Sequence, residues 1–124
     1  GLEGRVIDLG FLDEAEVPDA FAAAAAYIQP SANESFSRTV MEAWLAGTLV
    51  LATRNSTVLQ WHCERSGGGI GFDDEYELAQ GLAFAAARPD VAAAMAARGR
   101  EYVLTHYRWE TVLDAMERSL EDLR

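Results

Sequence analysis

No lysine occurs in these 124 residues, so all ten basic side chains are arginine, scattered along the chain. Against them stand 20 carboxylates, for a formal net charge of −10. A surface this acidic repels a phosphate backbone, which argues against a nucleic-acid partner. Without a basic patch it is also poorly suited to an anionic membrane surface. Cysteine is nearly absent. Cys63 stands alone, so the chain can form neither an internal disulfide nor a cysteine-based metal site. That usage fits a reducing compartment. Long apolar runs are missing too: the longest, "AFAAAAAYI" from Ala20 to Ile28, has nine residues and is too short to span a bilayer. The opening "GLEGRVIDLG" lacks the basic and apolar regions of a signal peptide. A soluble, cytoplasmic protein is the expectation.

Half of the residues are apolar and about a quarter are charged, ordinary globular usage for a single domain over residues 1–124. Strand and helix patterns alternate. "RVIDLGFL" (Arg5–Leu12) reads as a strand. "DEAEVPDAFAAAAA" reads as a helix with acidic first turns, in which Pro18 either marks the start or breaks an early turn. "AYIQP" is a short strand. "SFSRTVMEAWLAG" is a helix whose apolar stripe is Val40, Met41, Trp44 and Leu45, with Gly47 as its stop. "TLVLAT" is apolar on both faces, as a central parallel strand would be. A helix capped by Asn55 or Ser56 and stopped by Gly67 follows, then the strand "GGIGF" and three helical stretches. This predicts an α/β fold, a Rossmann-like parallel sheet of about four strands with flanking helices. The usual doubly wound domain has about two more strands, so a partial domain is expected.

The stretch "PSANESFSRTVMEAWLAG" holds the most pointed question, because Glu34 and Glu42 have seven residues between them. "SANE" has capping-box spacing, which would make Glu34 a helix cap, and Glu42 could be a solvated helix position. Against this, Met41 and Ala43 flank Glu42 on the half of the helix that should face the sheet, where a carboxylate usually has a partner. The turn also follows a strand's carboxyl end, where α/β sheets bind ligands. Backbone N–H groups of Phe36, Ser37, Arg38 and Thr39 would be the unpaired donors of a first helical turn, suited to phosphate. Beside Glu34, such a ligand should also carry hydroxyls, as a nucleotide sugar does.

At these residues the sequence resembles retaining glycosyltransferases of family 4, which have the two-domain GT-B fold. The shared pattern is Pro30, Ser31, Glu34, Phe36, Glu42, Ala43, Ala46 and Gly47, followed by an apolar strand. The likeness extends through "VIDLGFLDEAEVPDAFAAAAAYIQPS" and "GREYVLTHYRWETVLDAM", nearly the whole chain. It implies the C-terminal, donor-binding domain of such an enzyme. Glu34 would then be catalytic, hydrogen-bonding the donor sugar near its reacting carbon. Ser35, Phe36, Ser37, Arg38 and Thr39 would offer backbone N–H groups to the sugar and diphosphate, and Glu42 would hold the ribose hydroxyls. The donor would be a nucleoside-diphosphate sugar, with no cofactor or metal, and the acceptor a hydroxyl on a glycan, lipid or small molecule. Serine stands at positions 35 and 37, where the family often has glycine; serine limits φ > 0, so the turn is expected to be less open or to hydrogen-bond differently. The family's basic residues that neutralise the diphosphate lie on earlier strands, which these residues are not expected to contain. The chain alone is therefore expected to bind donor weakly and transfer nothing.

A second reading is a non-catalytic α/β assembly module, with an uncovered sheet edge that invites a homodimer. A response-regulator-like domain is disfavoured because no aspartates cluster after the first strand. The adjacent His62, Cys63 and Glu64 point three ways on a helix and cannot share a metal ion. "FDDEYE" reads as a solvated helix start, and "GGGIG" as a helix stop and turn rather than a phosphate loop. Trp44, Trp61, Tyr107 and Trp109 read as core anchors.

Overall fold

Three parallel strands, β1 (Tyr27–Gln29), β2 (Val50–Thr53) and β3 (Gly69–Phe72), form a sheet in that spatial order, with Tyr27 opposite Val50 and Val50 opposite Gly69. This is a computed structural model describing residues 1–124. Six helices follow the chain around the sheet. They are α1 (Val17–Ala22), α2 (Arg38–Leu45), α3 (Thr57–Ser66), α4 (Glu75–Ala87), α5 (Pro89–His106) and α6 (Trp109–Glu121).

Side chains along a strand alternate between faces, so the apolar run around β2 feeds two cores. Val50 and Ala52 pack with Val40, Trp44, Leu59 and Tyr102 on one face. Leu49 and Leu51 pack with Phe72, Ala85 and Ala92 on the other. All of β2 is buried, as expected of a central strand. The long α5 serves both cores, Ala92 in one and Tyr102 and Val103 in the other.

Local signals held where the chain itself supplies them. Ser56, not Asn55, caps α3, its Oγ accepting the N–H of Leu59 at 3.3 Å. Gly47 and Gly67 take φ of 80° and 64° just past α2 and α3, a backbone region that costs other residues steric strain.

The first predicted strand does not form. Arg5–Leu12 lies outside the sheet, and Val6, Ile7, Leu9 and Phe11 are exposed. The sheet therefore has three strands rather than four. Strand propensity reflects packing on a pleated surface more than backbone preference, and the apolar side chains of this segment are not packed on one. The first helix is also shorter than predicted. Pro18 has no N–H, and its ring clashes with the carbonyl four residues back, so a helix cannot run through it from Asp13. Asp13–Glu16 forms a turn instead, closed by Glu16 N–H to Asp13 O at 2.9 Å, and α1 starts at Val17.

Two anchor assignments change as well. Trp109 is 75 % exposed and α6 buries no residue, because that helix meets the body chiefly through α5. Trp61 is half-exposed beneath Arg65, whose guanidinium carbon lies 4.8 Å from the ring centre. Leu45 is also largely exposed, whereas Ala43 completes the buried stripe of α2.

Candidate functional site

The predicted site lies where the chain leaves the carboxyl end of β1, crosses a loop and enters α2. No capping box forms there. The helix begins at Arg38, seven positions after Ser31, with Ser37 as its N-cap. Ser31 and Glu34 therefore belong to the loop. Ser37 adopts φ 67° and ψ 77°, a left-handed conformation despite its side chain. Serine thus takes the backbone shape expected of glycine, against the expectation that it limits φ > 0, and the turn hydrogen-bonds through the serine side chain instead.

A polar group beneath the turn accounts for this. Gln29, buried at the end of β1, donates through Nε2 to Ser37 Oγ at 3.3 Å and Thr39 Oγ1 at 3.1 Å. Its Oε1 accepts the N–H of Ser31 at 3.3 Å. Tyr27 Oη donates to Thr39 Oγ1 at 3.0 Å. The left-handed conformation costs a non-glycine residue about 1–2 kcal/mol, and each of these bonds returns about 1 kcal/mol. The network thus offsets the strain and fixes the turn at both ends.

Of the residues named from sequence, Glu34, Ser35, Phe36, Ser37, Arg38 and Thr39 form one continuous segment with Ser37 buried and Ser35, Arg38 and Thr39 exposed. Glu34 is half-buried and takes part in none of the five ion pairs. Glu42 sits one helical turn on. Its Oε1 lies 4.0 Å from Arg38 Nη2, a surface pair of little energetic weight. It faces a cleft of about 350 Å³ between α1 and α2, shared with Glu14, Val17, Pro18 and Leu45. Both carboxylates keep acceptor capacity free.

On the other side, the turn rests on residues that sequence reading did not gather. The Phe36 ring meets His62 edge-on at 5.4 Å and Tyr107 at 5.0 Å. His62 Nδ1 is 2.9 Å from Tyr102 Oη, which is 3.1 Å from Tyr107 Oη. Burial pushes the His62 pKa below its ordinary 6.5; the Phe36 backbone acts in the opposite sense, and the Arg65 charge adds to the lowering. A histidine with a lowered folded pKa takes its proton later than the unfolded chain does. Its stability contribution is therefore complete above pH 6.5 and is lost as pH falls from 6.5 towards the folded pKa. In urea melts from pH 7.5 to 5, the advantage of the native protein over His62→Asn should shrink with falling pH. An advantage that stays constant would contradict this burial.

Cys63, beside His62, faces the sheet instead, and burial pushes its thiol up to about 11. Glu64 is exposed and accepts from Gln60 at 2.9 Å, so the three neighbours do diverge. The acidic run after β3 is more than a solvated start. Arg54 donates to Gly71 O at 2.6 Å and pairs with Asp73 and Glu77, while Asp74 caps α4. Gly71 is part of that arrangement, since a Cβ there would lie 2.7 Å from Arg54 Cγ.

A parallel sheet between helices, with a fixed polar turn at a strand's carboxyl end, is the Rossmann-like architecture of a GT-B glycosyltransferase domain. The chain belongs to the glycosyl transferase-like family, whose model matches residues 3–118. It is similar to a sucrose-phosphate synthase from Thermosynechococcus elongatus, at 27% identity and a TM-score of 0.86. The match covers 98% of this chain and 31% of that one, so the chain spans about a third of the synthase's length. No curated protein matches it. No helix is long and apolar enough to cross a membrane.

Proposed function

We propose that this chain is the nucleotide-sugar-binding half of a retaining glycosyltransferase of family 4. It would take a hexosyl group from a nucleoside-diphosphate sugar for transfer to an acceptor hydroxyl on a glycan, lipid or small molecule. The observation that carries the reading is the turn itself: a left-handed Ser37 held by Gln29 at a strand's carboxyl end, flanked by Glu34 and Glu42. The similarity to a sucrose-phosphate synthase supports hexosyl transfer in particular.

Each group has a chemical task in this reading. The N–H groups from Ser35 to Thr39 meet the sugar and diphosphate, with Arg38 as the basic side chain that the turn supplies. Glu42 accepts two ribose O–H bonds, which a carboxylate can do at once. Glu34 accepts from donor-sugar hydroxyls near the reacting carbon. Catalysis is then mostly positioning, with stabilisation of the departing diphosphate. The acceptor-binding half lies outside these residues.

Calorimetric titration of UDP-glucose and GDP-glucose into the full-length protein tests the assignment. Two charge-assisted bonds are lost in Glu42→Ala, so its Kd should rise about 100-fold, or roughly 3 kcal/mol. Unchanged affinity would remove Glu42 from the ribose.

A further inference from the structure

The turn has two supports, and only one belongs to the strand below it. Gln29 and Tyr27 hold Ser37 and Thr39 from β1. Phe36 is held from the opposite side by residues on α3 and at the end of α5. His62 is central to that second support. It is 2% exposed, and its Nδ1 meets the Tyr102 hydroxyl at 2.9 Å. Tyr102 in turn meets Tyr107, whose ring packs against Phe36.

The pattern of donors and acceptors is self-consistent. A Tyr107 hydroxyl donating to Tyr102 leaves the Tyr102 proton free to be donated to His62 Nδ1. The remaining ring N–H of His62 is then on Nε2, and the Phe36 ring packs edge-on against the same imidazole at 5.4 Å. A side chain that accepts from α5 and packs against the Phe36 ring of the turn couples the two. Hydrophobic packing alone would need neither the imidazole nor the two hydroxyls.

We infer that His62 is a positioning residue for the donor: through Tyr102 and Tyr107 it fixes Phe36, and through Phe36 the backbone of Ser35–Thr39. The inference rests on the reading of that turn as the sugar-diphosphate site. His62 touches no substrate. Its task is to hold the N–H groups of the turn in register before the donor arrives, which removes an ordering cost from binding.

The test combines amide hydrogen exchange with donor binding in the full-length protein. The variants are Tyr102→Phe, His62→Leu and His62→Asn, the last keeping an acceptor near the place of Nδ1. In the unliganded protein, Tyr102→Phe and His62→Leu should speed exchange about tenfold at Met41, the amide that reports the turn because it bonds back to Ser37 O at 3.4 Å, and leave the amides of β2 unchanged. Their affinity for UDP-glucose or GDP-glucose, whichever the native protein binds, should fall about tenfold. His62→Asn should restore most of both losses. Native exchange rates at the turn in Tyr102→Phe would overturn the inference, even if His62→Leu fails to fold. So would faster exchange without loss of donor affinity, in a protein whose Glu42→Ala variant does lose it. A native protein that binds neither sugar nucleotide would instead overturn the proposed function; the exchange data would then still decide whether His62 holds the turn.

Discussion

Trp44→Ala is expected to cost about 4 kcal/mol of stability, the largest loss from any single truncation in this chain. The indole is completely buried between α2 and α5. Its Nε1 donates to Gly68 O at 2.9 Å, and its ring meets Tyr102 edge-on at 6.0 Å. Truncation leaves a cavity and strands a buried carbonyl. For a domain of this size the loss lowers Tm by about 15 °C, against a total stability of about 5–15 kcal/mol. The neighbouring helix supplies an internal control. Gly99 leaves room for this ring, and a Cβ there would lie 2.4 Å from Trp44 Cδ1. Gly99→Ala should therefore be destabilising in the native background and nearly silent beside Trp44→Ala. Thermal melts of the three variants decide the matter: a fall in Tm under about 5 °C for Trp44→Ala, or additive losses, would show that the indole is not the packing centre.

Glu34→Ala is expected to lower the rate of sugar transfer about 10²- to 10³-fold, the scale seen when one preorganised polar contact to a transition state is removed. This follows from the proposed placement of Glu34 near the reacting carbon. The side chain is half-buried in the loop ahead of α2 and pairs with no arginine, so its removal should leave folding intact. Donor affinity should change far less than the rate, in contrast to Glu42→Ala, where affinity carries the loss. Steady-state kinetics with the full-length enzyme separates the two. A kcat within threefold of native would remove Glu34 from the reacting centre, and a loss confined to KM would make it a binding contact only.

The two glutamates also show how far local pattern carries. Their spacing within a Pro-Ser-initiated turn was legible, and so was the helix after it. The capping-box alternative for Glu34 had equally good spacing, and it failed because the helix starts at Arg38. Nothing near position 34 reveals that. The left-handed Ser37 depends on Gln29, eight residues earlier on a strand, and that glutamine in "AYIQP" was a visible polar residue in a buried strand. His62 and Tyr102 lie 40 residues apart, and no local signal connects them.

Local pattern was enough for β2, a cap at Asn55 or Ser56, the stop at Gly67, the order of helices and the position of the candidate turn. Each of these depends on residues within a few positions of one another, where periodicity, capping and backbone sterics act directly. Tertiary structure decided the rest: that Arg5–Leu12 stays outside the sheet, that Trp109 is exposed, and that Gln29 and His62 support the turn from opposite sides. A strand needs a partner for its backbone, a tryptophan needs a surface to cover it, and a strained turn needs distant groups to hold it. Those partners exist only once the chain has closed on itself.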